Sequence, residues 1–128
     1  MIELHDGRQP NRLVINWERE ASGCIELIIA PAEEPFTVNS SGVAIWSNPD
    51  NIGGVVVERS ALVAGLEEVT TETVVDLPVF PRCQSQLKLV ATDSPGMAKM
   101  QIMELYDPVL GLTYTVDSVE LLDRLSFA

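Results

Sequence analysis

The sequence predicts an all-β domain, mostly antiparallel, built as a β-sandwich or jelly roll with one or two short helical turns. Three observations carry this. Period-two alternation of apolar and polar residues recurs from one end to the other. The apolar segments are short, and many are rich in β-branched residues, which suit a pleated, half-buried surface. Clusters of Gly, Pro, Asn and Asp separate them, and the eight prolines fall mainly between the runs, where a missing N–H breaks no ladder. With no linker, low-complexity tract or internal repeat in view, residues 1–128 are expected to form a single β-domain. A chain of this length buries roughly two thirds of its unfolded surface and needs no metal or disulfide to hold a core.

Taken in order, Ile2 and Leu4 alternate with Glu3 and His5, and Leu13, Ile15 and Trp17 alternate with Val14, Asn16 and Glu18. Further strands are expected over Cys24–Ile29, Phe36–Val38, Val43–Trp46 and Val55–Val57. The remaining four are Thr73–Leu77, Leu87–Ala91, Met100–Leu105 and Leu112–Val116. The segment WSNPDNIGGVVV, Trp46 to Val57, sets polar turn formers against an apolar run. As a calcium loop counted from Asn48, it would place Ile52 at a ligand position and Arg59 where the closing glutamate belongs. It reads instead as a bend: Pro49 presets φ, Asp50 and Asn51 accept local backbone bonds, and Gly53 and Gly54 permit positive φ.

Two segments read as helical. Ser60 could cap a turn carrying Leu62, Val63, Leu66 and Val69, although Gly65 weakens it. Asp117, with Glu120 three residues on, resembles a capping box opening Ser118 to Leu125.

No stretch spells out a chemistry. His5 is the only histidine, so zinc held by two imidazoles is impossible; beside Asp6 it reads as a solvated edge residue. The sequence contains no G-x-S-x-G elbow and no phosphate-cradling glycine pattern. The adjacent acids Glu33-Glu34 and Glu67-Glu68 read as solvated surface. No catalytic, cofactor-binding or metal-binding residue is therefore expected, and no enzyme. Cys24 and Cys83 are too few for a disulfide framework and read as unpaired thiols. An immunoglobulin domain would place a tryptophan about a dozen residues after the first cysteine and a tyrosine two before the second. Here Trp46 stands much further on and Pro81 takes the tyrosine's place.

Charge and composition narrow the partners. The chain has 19 acidic and 8 basic residues, a net charge of −11, and 46% hydrophobic residues. Nucleic acid and anionic membrane surfaces would be repelled. The opening Met1-Ile2-Glu3-Leu4-His5-Asp6 has neither a cationic start nor an apolar run, so no secretion signal is expected. Surplus apolar surface on a small domain suggests subunit interfaces. Only two lysines, Lys88 and Lys99, are present to guard strand edges, which suggests that neighbours cover them. Trp46 and Ile52 at the bend, with Leu125 and Phe127 in the C-terminal tail, are the expected contact residues.

In size, acidity, β-content and lack of catalytic motifs, the whole chain resembles the small all-β decoration or cement proteins of tailed-phage capsids. That resemblance implies a non-enzymatic structural protein of the virion, made in the host cytoplasm. It would act as a dimer or trimer on the major coat protein or another virion protein, without cofactors. Two other classes compete: an acidic DNA mimic, which needs carboxylates in a phosphate-like stripe, and a carbohydrate-binding sandwich, which needs several exposed aromatics on one face.

Overall fold

The computed structural model describes residues 1–17, 23–68, 72–75, 85–104 and 107–126. Ten strands and two helices follow the alternation pattern closely. The strands are β1 (Ile2–Leu4), β2 (Asn11–Trp17), β3 (Cys24–Pro31), β4 (Phe36–Val38), β5 (Ala44–Trp46), β6 (Gly53–Glu58), β7 (Glu72–Val75), β8 (Ser85–Ala91), β9 (Met97–Glu104) and β10 (Asp107–Asp117). Helix α1 (Arg59–Glu68) follows β6, and α2 (Ser118–Ser126) follows β10. The expected end of the seventh strand, Asp76 and Leu77, lies outside the described residues, as does Val69 of the first helical segment.

All strand pairs are antiparallel. They form a four-stranded sheet β1-β2-β3-β6, a second of order β10-β9-β8-β7, and the small β4–β5 hairpin. The odd-numbered apolar positions of β2, Leu13 and Ile15, join Ile25, Leu27 and Ile29 of β3 in one core cluster. Leu87, Leu89, Met100, Ile102, Tyr114 and Val116 of the second sheet enter the same cluster, as do Leu62 and Leu66 of α1 and Leu121 and Leu125 of α2. The two sheets thus share one interior.

The register also shows a repeat that the sequence conceals. Each half of the chain runs four antiparallel strands into a helix: β1-β2-β3-β6-α1, then β7-β8-β9-β10-α2. Superimposing the registers matches buried residues position for position. Leu13 and Ile15 correspond to Leu87 and Leu89, and Leu27 and Ile29 to Met100 and Ile102. Val55, Val57, Leu62 and Leu66 correspond to Tyr114, Val116, Leu121 and Leu125. Gly23 and Gly96 occupy the same place before β3 and β9, at φ 83° and 80°, a conformation that glycine adopts without a Cβ penalty. The carbonyl of Gly23 accepts a 2.8 Å bond from the N–H of Arg59, the first residue of α1. That of Gly96 accepts one of the same length from Ser118, the first of α2. Contacts between the halves follow the same rule: β6 meets β8 and β9, β10 meets β2 and β3, and α1 meets α2. The expectation of no internal repeat holds for residue identities and fails for the fold.

The helix starts are a second correction. Asp117 caps α2 as expected, its Oδ1 accepting from the N–H groups of Val119 at 3.0 Å and Glu120 at 3.1 Å. Ser60, however, lies inside α1, whose first N–H is satisfied by the Gly23 carbonyl rather than by a side-chain cap.

Candidate interaction surface

The bend from Trp46 to Val57 joins β5 to β6 through a 3₁₀ turn at Pro49–Asn51. Its closing bonds are short-range, from the N–H of Asn51 to the Asn48 carbonyl at 3.2 Å and from Ile52 to Pro49 at 3.5 Å. Gly53 and Gly54 do not use positive φ, contrary to expectation. Both lie in β6, and Gly53 is small for another reason. A Cβ there would stand 3.3 Å from Ile102 Cγ2 and 3.4 Å from Leu112 Cδ1, so the missing side chain lets the second sheet approach.

The β4–β5 hairpin, whose strands lead into that bend, covers the outer face of the first sheet. Val14, Ile28, Ala30 and Ala44 form a second buried cluster there, with Phe36, Trp46 and Ile52 packed against it. Asn16 pins the hairpin down. This buried side chain accepts from the Ala44 N–H at 3.0 Å and donates to the Ala44 carbonyl at 3.3 Å, as a neighbouring strand would. Its amide also donates to Glu26 Oε1 at 3.1 Å. Arg12 supports the other end. Its guanidinium lies 4.6 Å from the Phe36 ring centre and 5.3 Å from that of Trp46, within cation–π range. The two rings stand 4.8 Å apart at 41°. Arg12 also donates to the Glu34 carbonyl and to Glu3 Oε1, the latter at 3.4 Å. Arg12 Nε and Trp46 Nε1 are buried with no hydrogen-bond partner among the described residues.

Two large apolar side chains remain exposed on this hairpin, Val38 at 52% and Ile45 at 50%. Fixed backbone with protruding aliphatic groups is what a packing contact requires, because little ordering entropy is left to lose on binding.

The four expected contact residues fare differently. Trp46 and Ile52 sit together at this hairpin, each half-buried. Leu125 is a correction: it is 0% exposed and belongs to the core, because the amphipathic spacing of α2 turns it inward with Leu121. Phe127 lies outside the described residues. Val38 and Ile45 went unread because alternation alone does not say which face of a two-stranded ribbon lies against a sheet.

The edge of β10 is guarded from within the chain. Gln9 bonds both backbone groups of Thr115 at 2.8 Å, and Asn11 donates to the Thr113 carbonyl at 2.9 Å, so two amide side chains complete the edge of β10. Arg124 donates to the Glu3 carbonyl on β1 at 3.3 Å. The signal for the first pair was the Gln9-Pro10-Asn11 run that leads into β2.

Elsewhere, a cleft of about 180 Å³ opens beside the first turn, lined by His5, Asp6, Gln9, Tyr114, Asp117 and Glu120 among others. Burial, reinforced by the Asp6 carboxylate, raises the pKa of the Tyr114 phenol above its ordinary value. His5 is exposed. Among the described residues no three His, Cys, Asp or Glu side chains are grouped so as to hold a metal ion. Cys24 is half-buried and unbridged, and Cys83 lies outside the described residues. No helix among the described residues is long and apolar enough to cross a membrane. Comparisons with protein families, curated proteins and solved structures give no match.

Proposed function

We propose that the chain is a non-enzymatic structural protein that works through subunit contacts, as a homo-oligomer seated on the coat lattice of a viral particle. The observation that carries this reading is the β4–β5 hairpin, held in place by Asn16 and Arg12 while presenting Val38 and Ile45 to solvent. A lattice multiplies a modest contact, since many copies each burying a little apolar surface sum to a large stabilisation. The finer architecture proposed is a sandwich rather than a jelly roll, because neighbours in each sheet follow chain order apart from the inserted hairpin. The coat lattice itself comes from the resemblance in size, acidity and β-content.

The test is co-expression of the tagged chain with tailed-phage coat proteins, followed by sedimentation and electron microscopy of the particles. Expected are particles bearing the chain at regular lattice positions, and loss of the chain with the double variant Val38→Asp, Ile45→Asp. A chain that never sediments with particles would overturn the assignment.

A further inference from the structure

Three of the outward-facing strands are accounted for. β10 is completed by Gln9 and Asn11, β1 is three residues long and carries Arg124 at its Glu3 carbonyl, and β7 lies against α1. The fourth is β6. Its inward bonds follow from the Arg59 N–H reaching Gly23 across the β3 pairing: every second residue, Val57, Val55 and Gly53, faces β3. The backbone groups of Gly54, Val56 and Glu58 therefore face away from the sheet, as those of Thr113 and Thr115 do on the matching strand β10. Among the described residues, no hydrogen bond reaches the outward groups of Gly54 or Val56. Gly54 is exposed and Val56 half-buried, and Gly53 to Val57 contains no Lys, Pro or charge to discourage pairing.

We infer that the β6 edge is a self-association site, where two copies of this chain pair β6 with β6 antiparallel about a two-fold axis and join their sheets into one of eight strands. The inference rests on the proposal of a homo-oligomer and names its contact. The outward parity selects the register. Val56 faces its own counterpart, and Gly54 and Glu58 face each other, so three hydrogen-bonded pairs form across the axis. A second copy of so acidic a chain is tolerated because each Glu58 lies opposite a glycine. The two Glu58 residues stand roughly 14 Å apart along the strands, at about 3.4 Å per residue, beyond the Debye length of about 8 Å at physiological salt. Isologous contacts of this kind close on themselves and do not grow into fibres.

Sedimentation of the full chain, with amide exchange followed at Gly54 and Val56, tests the site. Two variants are compared with the wild type. Val56→Pro removes an outward N–H and no β3 bond; Val56→Lys keeps the backbone and sets two cations against each other. The expected result is a dimer whose formation slows exchange at both amides as concentration rises, weakened at least tenfold in each variant. Oligomers unchanged in both variants would overturn the edge contact while leaving the subunit-contact function standing. A wild type that stays monomeric with fast exchange at both amides would overturn self-association, and the co-sedimentation experiment above would then decide lattice binding separately. Protection that appears only on adding coat protein would assign the edge to a foreign strand and overturn the second copy.

Discussion

Asn16 shows how one polar residue in an apolar strand can organise a surface. It lies among Leu13, Val14, Ile15 and Trp17, 2% exposed, with its amide spent on the Ala44 backbone and Glu26. Asn16→Leu keeps the branched shape and strands the Ala44 N–H and carbonyl, at a cost of about 1–3 kcal/mol for each buried group left unpaired. Hydrogen exchange should then speed up at Ala44 and its hairpin neighbours while Leu27 and Leu89 stay protected. Equal loss of protection throughout would mean that the hairpin and core are one cooperative unit. Leu125 belongs to the other cluster, and Leu125→Ala should cost about 2–5 kcal/mol by leaving a cavity in the core, read as a lowered Tm. Tyr114 makes a statement about pH. Its phenol holds its proton to higher pH in the fold than in the unfolded chain, first through burial and then through Asp6. The associated stability is complete below the ordinary tyrosine value of about 10 and is lost as pH rises through the higher folded value. Thermal melts at alkaline pH should show that loss in the wild type and a smaller one in Tyr114→Phe.

At the scale of elements, local chemistry was readable where a single residue decides it. Asp117 terminates β10 and opens α2 in one step, so Asp117→Ala should cost about 1 kcal/mol, the usual worth of an N-cap, measurable by denaturant unfolding. The pattern of Leu13, Ile15 and Trp17 at every second position, with the apolar run Cys24–Ile29, marked the strands. It could not show that Val14 and Ile28 are buried too, because their cover is a hairpin contributed from residues 36–46. Tertiary context likewise decided α1. Ser60 has the right chemistry for a cap, yet the chain is already helical at Arg59 because Gly23, distant in sequence, supplies the acceptor. Protection of the β10 edge was out of reach of the sequence for the same reason. Scarce lysine suggested covering neighbours, whereas Gln9 and Asn11 reach the edge of β10 from within the chain.

The whole molecule is two four-stranded units with one interior, and the halves differ most where they do not face each other. The first sheet's outer face is apolar and covered by the hairpin at Val14 and Ile28; the matching positions of the second are Lys88 and Gln101. Residue identities differ at these outer positions while the inner ones share only apolar character, which is why the repeat is legible in register and not in sequence. Association is the property that belongs to this scale. A net charge of −11 opposes the meeting of copies, by about 1 kcal/mol for two unit charges 4 Å apart in water and less as salt screens them. Apolar burial contributes roughly 25 cal/mol per Å², so several hundred Å² outweigh a few such pairs before the entropic cost of association is met. Salt weakens the repulsion and leaves the burial intact. Raising ionic strength from about 0.05 to about 0.5 M shortens the Debye length to a few Å, so self-association should tighten with salt in analytical ultracentrifugation. Association that weakened with salt would mean that opposite charges, not apolar contacts and strand pairing, hold the copies together.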